Sequence, residues 1–196
     1  MKTQKQKSFK RNLFEWGIII SIIAVLYYTG LYSVVISRVQ QVILLTGIFQ
    51  PEINIPVDKQ QPADFNLSLI STNNNFVNLG HYKGKIIFLN FWASWCPPCR
   101  AEMPTIQKLY DKLKNRKDID FVLVSLDNNY EKGEKFIHEE GFTFPVYYLN
   151  SRLPNIYNTE TIPSTFVISK EGKIVAKRIG MADYDTKKFY NFLNSL

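Results

Sequence analysis

The chain has 196 residues, 45% of them hydrophobic and 14% aromatic, which is enough for a packed core and too apolar for a disordered protein. Its net charge of +7 belongs to one end: Lys2, Lys5, Lys7, Lys10 and Arg11 supply five of the 24 basic residues, and the remaining 19 face 17 acidic ones. That near balance excludes a nucleic-acid-binding face on the body of the protein.

After the basic residues 1–15 comes WGIIISIIAVLYYTGLYSVVIS, residues 16–37, without a charge. As one helix rising about 1.5 Å per residue it would span about 33 Å, enough for a hydrocarbon core of about 30 Å. A cleaved signal peptide would end its apolar stretch at a small-x-small site, where this chain has Tyr27, Tyr28, Leu31 and Tyr32. The expectation is a retained single-pass anchor over 16–37. Basic residues precede it and only Arg38 follows closely, so residues 1–15 are expected in the cytoplasm and everything beyond residue 40 outside it. VILLTGIF, residues 42–49, is too short to cross again and is expected in the membrane interface or against the domain. Pro51, Pro56 and Pro62 among polar residues read as an extended tether. Residues 38–57 are thus an interfacial segment and linker, and a globular domain occupies 58–196.

That domain opens with Phe65, Leu67 and Leu69 alternating with polar neighbours, then an NNN turn and FVNL, the pattern of a β-hairpin. IIFLNFW, residues 86–92, is almost continuously apolar, as a strand covered on both faces would be. The only two cysteines follow it in the stretch FWASWCPPC, and Met103, Ile106, Leu109, Tyr110 and Leu113 then recur at helical spacing. FVLVSL predicts a second buried strand, EKGEKFIHEE a polar helix, and FPVYYL a third strand. STFVIS and KIVAKRI flank KEG as an antiparallel hairpin, and Phe189, Phe192, Leu193 and Leu196 mark one face of a terminal helix. Alternating strands and helices imply an α/β fold, a mixed central sheet with helices on both faces.

Cys96 sits where a buried strand becomes a helix, directly before Pro97, a residue type suited to the first helical turn. Unpaired N–H groups and the macrodipole at such an end stabilise a thiolate, the form that attacks disulfides, so Cys96 is expected to be the nucleophile. Cys99 lies one turn on, placed to resolve a mixed disulfide formed at Cys96. A metal site would need further ligands, and His81 and His138 stand alone in polar surroundings. A structural staple closing so short a loop would stabilise little. Glu102, three residues beyond Cys99, falls on its side of the helix, where a carboxylate could exchange a proton with it; the alternative is an exposed acid in an early helical turn. Pro104 is expected to kink the helix by removing a backbone bond to Arg100.

FWASWCPPC, Pro104, and TIPST at 161–165 resemble the thioredoxin superfamily, in particular its TlpA/ResA-like membrane-anchored thiol-disulfide oxidoreductases, over about residues 60–196. The resemblance implies a thioredoxin fold with an N-terminal β-hairpin extension, and Pro163 as a cis-proline facing the dithiol. It implies Cys96 as the exposed attacking cysteine and Cys99 as its buried partner, and it supports the proton-exchange role of Glu102, because ResA-like members carry a glutamate there. Asn90 departs from thioredoxins proper, in which resemblance would place a buried aspartate, so any proton relay must use Glu102 or water. With this fold Trp95, Pro97, Ile162, Pro163, Ile179, Gly180 and Met181 would surround Cys96 as a rim for the extended backbone of a partner.

The expected activity is thiol-disulfide exchange on the far side of a bacterial cytoplasmic membrane, in the periplasm or its equivalent. No cofactor or metal is expected beyond the redox-active Cys96–Cys99 pair. No histidine separates the cysteines, unlike the strongly oxidising members, so a reductase is favoured; potentials across the fold span about −270 to −120 mV. The resemblance implies disulfide-bearing envelope proteins as substrates, among them apocytochrome c, and a membrane thiol transporter as electron donor. An oxidase or isomerase on the same fold, and a two-thiolate metallochaperone, are the alternatives.

Overall fold

The computed structural model describes residues 2–44, 46–51 and 55–196, so Leu45 and residues 52–54 of the expected linker lie outside the described residues. The chain divides into two compact units, Met1–Ile36 and Ser37–Leu196.

In the first unit helix α1 runs over Lys2–Thr29. The uncharged run of residues 16–37 is not the single helix expected from it. Gly30 takes a left-handed conformation with φ 72°, its N–H donates to the Tyr27 carbonyl at 3.2 Å, and a second helix, α2 (Tyr32–Leu44), starts beyond Leu31. Glycine enters that region without steric cost, which makes it a helix stop even inside an apolar run. Among the described residues no single helix is long and apolar enough to cross a membrane; α1 and α2 together pass that test as a bent pair. The side chains of Trp16, Ile20, Ile23 and Tyr27 on α1 are all exposed.

The second unit is built on one eight-stranded mixed sheet: β1 (Gln61–Pro62), β2 (Ser68–Ser71), β3 (Phe76–Asn78), β4 (Ile86–Trp92), β5 (Ile119–Ser125), β6 (Val146–Leu149), β7 (Ser164–Ile168) and β8 (Lys173–Ile179). The order across it is β1-β8-β7-β4-β5-β6-β2-β3. β4, β5 and β6 are parallel, and the remaining pairings are antiparallel. Helix α3 (Pro97–Leu113) joins β4 to β5, α4 (Tyr130–Glu140) lies between β5 and β6, and α5 (Lys187–Asn194) follows β8.

Every residue of β4 is buried. Because successive side chains on a strand face opposite ways, Ile86, Phe88 and Trp92 enter one core cluster and Ile87, Leu89 and Phe91 the other. Asn90 is the one polar residue in this strand, and its position in the alternation puts it on the side of Phe88 and Trp92. Helices on both faces, expected from the sequence, are not what forms. α3, α4 and α5 all contribute buried side chains to the first cluster, through residues such as Ile106, Phe136 and Phe189. The second cluster is closed by Leu67, by 3-10 turns carrying Leu79 and Tyr157, and by loop residues. The reason is handedness: β4 to β5 and β5 to β6 step across the sheet in the same direction, and right-handed crossovers then lay both helices on the same face.

The segment read as a tether is fastened to the domain. Ile55 N–H donates to the Val175 carbonyl at 2.9 Å, and in residues 42–49, expected in the membrane interface or against the domain, Leu44 is buried and the Phe49 carbonyl accepts from Asp183 N–H at 2.8 Å. Gln61 and Pro62 pair with Ile174 and Lys173 on the outer edge of β8.

Candidate active site

Strand β4 delivers the chain to the site. At its end Ala93, Ser94 and Trp95 turn, and Cys96 N–H donates to the Ala93 carbonyl at 3.2 Å. Cys96 is the N-cap of α3, with extended backbone and its sulfur accepting from Cys99 N–H at 3.3 Å; Pro97 opens the helix. The N-cap position satisfies one of the orphan donors of the first turn, and the same donors favour negative charge on that sulfur once it is reduced. Cys96 and Cys99 form a disulfide, with Cys99 wholly buried; Cys96, expected to be exposed, is itself buried in this oxidised form at 4% exposure.

Opposite them lies the loop before β7. The Ile162–Pro163 peptide is cis, Cys96 Sγ lies 3.7 Å from the Ile162 carbonyl oxygen, and Gly180 N–H donates to the Pro163 carbonyl at 2.8 Å. Gly180 has φ 84°, a conformation a β-carbon would strain. Pro163 is buried, Ile162, Gly180, Met181 and Pro97 are half-buried, and Trp95 and Ile179 are exposed at 59% and 48%. Of the expected apolar rim, Trp95 and Ile179 are thus the exposed members.

Glu102 is fully buried. On α3 the buried residues Cys99, Met103, Ile106, Leu109 and Leu113 follow helical spacing, and Glu102 falls inside that stripe, not on the exposed face. Asn90 Nδ2 donates to Glu102 Oε1 at 2.9 Å, and Ala182 N–H donates to Oε2 at 3.2 Å. Burial dominates and pushes the carboxyl up to about 8, against the opposing pull of Asn90, Ala182 and the Arg178 charge. The second Asn90 amide hydrogen goes to Thr165 Oγ1 at 2.9 Å, which also accepts from the Tyr184 hydroxyl at 2.6 Å. Burial and the Glu102 charge hold the Tyr184 phenol well above its usual range. Asn90 Oδ1 is buried without a hydrogen-bond partner. A dithiol at a helix end, a buried carboxyl on the same helix and an apolar rim at the outer sulfur together make thiol-disulfide exchange the chemistry of this site.

Comparison with known proteins decides the family. Residues 56–193 match the Redoxin family. A protein of Oceanobacillus iheyensis named thiol-disulfide oxidoreductase ResA is 35% identical over 177 residues, covering 88% of this chain and 84% of the relative. This chain is a thiol-disulfide oxidoreductase of the ResA-like Redoxin family. The protein of the same name from Bacillus subtilis is 30% identical over 168 residues, covering 85% of this chain and 84% of its own length. Among solved structures, StoA from Bacillus subtilis aligns with a TM-score of 0.55 at 29% identity, covering 67% of this chain and 98% of StoA. A thiol:disulfide interchange protein from Bacteroides sp. aligns with a TM-score of 0.60 at 28% identity, covering 70% and 88%.

Two groups of residues in this ResA-like oxidoreductase escaped the sequence reading. Thr165, Tyr184 and Arg178 surround Glu102 from β7, the loop before α5, and β8. Thr165 lies within the TIPST motif, but nothing in it points across the fold to Asn90. The other group is a clamp on the active-site turn. Asp127 Oδ2 accepts from Ser94 N–H at 2.9 Å and the Ser125 hydroxyl at 2.8 Å, and Oδ1 accepts from the Ser94 hydroxyl at 2.7 Å. Asp127 is buried, directly beyond the end of β5, and fixes the residue two before Cys96. His81 and His138 are exposed on separate elements, a 3-10 turn and α4.

Proposed function

We propose that this oxidoreductase is membrane-tethered, acts outside the cytoplasm, and reduces disulfides of envelope proteins through Cys96 and Cys99. The observation that carries the reading is the difference between the two sulfurs: Cys96 caps α3 at the apolar rim of the site, and Cys99 lies fully buried one turn further in. In the reduced enzyme the Cys96 thiolate attacks one sulfur of the substrate disulfide. A mixed disulfide forms and the substrate's other sulfur leaves as a thiolate. Cys99, after losing its proton, attacks Cys96 Sγ; the substrate leaves with both sulfurs reduced, and the enzyme keeps the Cys96–Cys99 disulfide. Two electrons have passed to the substrate, and a donor dithiol must return them.

Glu102 takes the Cys99 proton in that second step. A carboxyl held near 8 by burial is matched to a thiol in the range where free cysteines titrate, about 8.5. Trp95, Pro97, Ile162, Pro163 and Gly180 receive the substrate backbone. The uncharged, apolar stretch of residues 16–37 supports attachment to a membrane, and the basic residues before it support a cytoplasmic amino end. The reductive direction rests on the absence of histidine between the cysteines, and the haem-site disulfide of apocytochrome c is a substrate compatible with it, with a membrane thiol transporter as donor.

The test is Cys99→Ser in cells. Without its second nucleophile the enzyme should accumulate as a reducible covalent complex with its substrate, identified by mass spectrometry, whereas Cys96→Ser should trap nothing. Trapping by Cys96→Ser alone would reverse the roles of the cysteines, and trapping by neither would overturn the exchange mechanism.

A further inference from the structure

Residues 37–44 and 46–51 make contacts that a passive linker does not need. At one end Arg38, on α2, donates to both carboxylate oxygens of Glu140 at 3.2 and 3.4 Å. Glu140 also meets Arg100 at 3.8 Å. Arg100 directly follows Cys99; its guanidinium lies 4.5 Å from the Phe136 ring and donates to the Ser94 carbonyl at 3.3 Å, two residues before Cys96. At the other end Phe49 meets the loop that holds Glu102. Three successive N–H groups there point to three different elements: Ala182 to the Glu102 carboxylate at 3.2 Å, Asp183 to the Phe49 carbonyl at 2.8 Å, and Tyr184 to the Thr105 hydroxyl at 3.1 Å. Between the ends Leu44 is 1% exposed, and a cavity of about 340 Å³ with Val42 and Leu44 on one wall and Ala101 and Pro104 on another marks the path of the segment along α3.

We propose that residues 37–44 and 46–51 are a strap that positions the active site, holding the turn before Cys96 through Arg38, Glu140 and Arg100 and the loop over Glu102 through Phe49. The strap touches none of the reacting atoms. It acts by keeping Ala182 on the Glu102 carboxylate and water away from it. The other groups facing that carboxyl are Asn90 from β4, Arg178 from β8 and the Tyr184 phenol; Tyr184 belongs to the strapped loop, and Asn90 and Arg178 come from the sheet. Fastening by backbone and buried contacts lets the strap restrain the loop without a charge of its own in the site. Its importance for turnover rests on the proton-exchange role proposed for Glu102, so the decisive measurement reads the carboxyl directly.

The experiment uses the full chain in detergent. Leu44→Asp should release the strap, and Leu44→Met should leave it seated. Tryptic cleavage after Arg38 should be at least tenfold faster in Leu44→Asp. The protonation midpoint of the Glu102 carboxyl, followed by infrared difference spectra and assigned by its loss in Glu102→Gln, should fall from about 8 by at least one pH unit, because water reaching the group removes the dominant effect of burial and outweighs the smaller rise from losing Ala182 N–H. Leu44→Met should match the unaltered protein in both. Unaltered cleavage, or faster cleavage with an unmoved midpoint, would overturn the proposal. Arg38→Glu leaves the core intact and serves if Leu44→Asp does not fold; it should lower the midpoint by at least half a unit, and an unmoved midpoint overturns the proposal equally. If Glu102→Gln leaves the pH profile of Cys99 alkylation unchanged, the proton-exchange role fails, and the strap measurements stand apart from it.

Discussion

Replacing Glu102 with glutamine should remove most of the pH dependence of this fold between pH 5 and 9. The native carboxyl is pushed from its ordinary 4.5 up to about 8, with burial as the first cause. Below pH 4.5 the native and unfolded chains are both protonated and the group makes no difference. Between 4.5 and 8 the unfolded chain gives up its proton while the native one keeps it, so stability falls as pH rises, by about 1.36 kcal/mol per pH unit, and levels off above 8. The whole loss is about 5 kcal/mol, a large fraction of the 5–15 kcal/mol that is roughly usual for a domain. Glutamine keeps the shape and has no proton to lose. The assay is urea unfolding of the oxidised full chain in detergent, followed by the fluorescence of buried Trp92 at several pH values. The disulfide keeps both thiols out of the titration, and the Tyr184 phenol ionises well above this window. The stability difference between variant and parent should grow in favour of the variant by about 5 kcal/mol from pH 4.5 to pH 9. Parallel curves across that range would refute the assignment of a raised carboxyl to Glu102.

Three further outcomes follow from the same contacts. Asn90→Asp places a second carboxyl within hydrogen-bonding distance of Glu102, and since neighbouring like charges resist joint ionisation, the pair should release its last proton above pH 8, as infrared titration would read. Asp127→Ala strips two hydrogen bonds from the turn before Cys96 and a third from Ser125, and should cost about 2–4 kcal/mol in urea unfolding, with Asp127→Asn recovering part of it. Gly133→Ala, which in an exposed helix would gain about 1 kcal/mol, should instead destabilise by about 1–2 kcal/mol, because a β-carbon there would lie 3.2 Å from both Asp127 Oδ2 and Ser125 Oγ, atoms held in the clamp. A rise in the unfolding midpoint of Gly133→Ala would show that the clamp yields.

How much of this was legible depended on the range of the interaction. The buried strand 86–92, the helix after the cysteines and the hairpin from Ser164 are written in local periodicity, and the structure places β4, α3, β7 and β8 there. Glu102 was half legible: its spacing from Cys99 could be counted, but whether it lay inside or outside the helix depended on where the apolar stripe fell. Asp127 was invisible because its partner Ser94 is 33 residues away, and a lone aspartate beyond a strand carries no mark of what it will bind. The break at Gly30 was hidden for another reason. Hydropathy reports how apolar a run is, and a glycine inside it changes that little, while its positive φ changes the direction of the chain.

The two residues of β1 bear on aggregation. An open sheet edge is a row of unspent donors and acceptors that any extended chain can join. Here the start of the β8 edge, Lys173 and Ile174, is taken by Pro62 and Gln61, and proline offers no N–H to a further strand. The opposite edge, β3, is three residues long and runs directly into a 3-10 turn capped by Asn78. The short β3 edge and the capped start of β8 are poor templates for an extended chain, the disulfide-bearing proteins proposed above as substrates included. The docking place proposed for such proteins lies instead at the end of the sheet, beside Cys96 and Pro163.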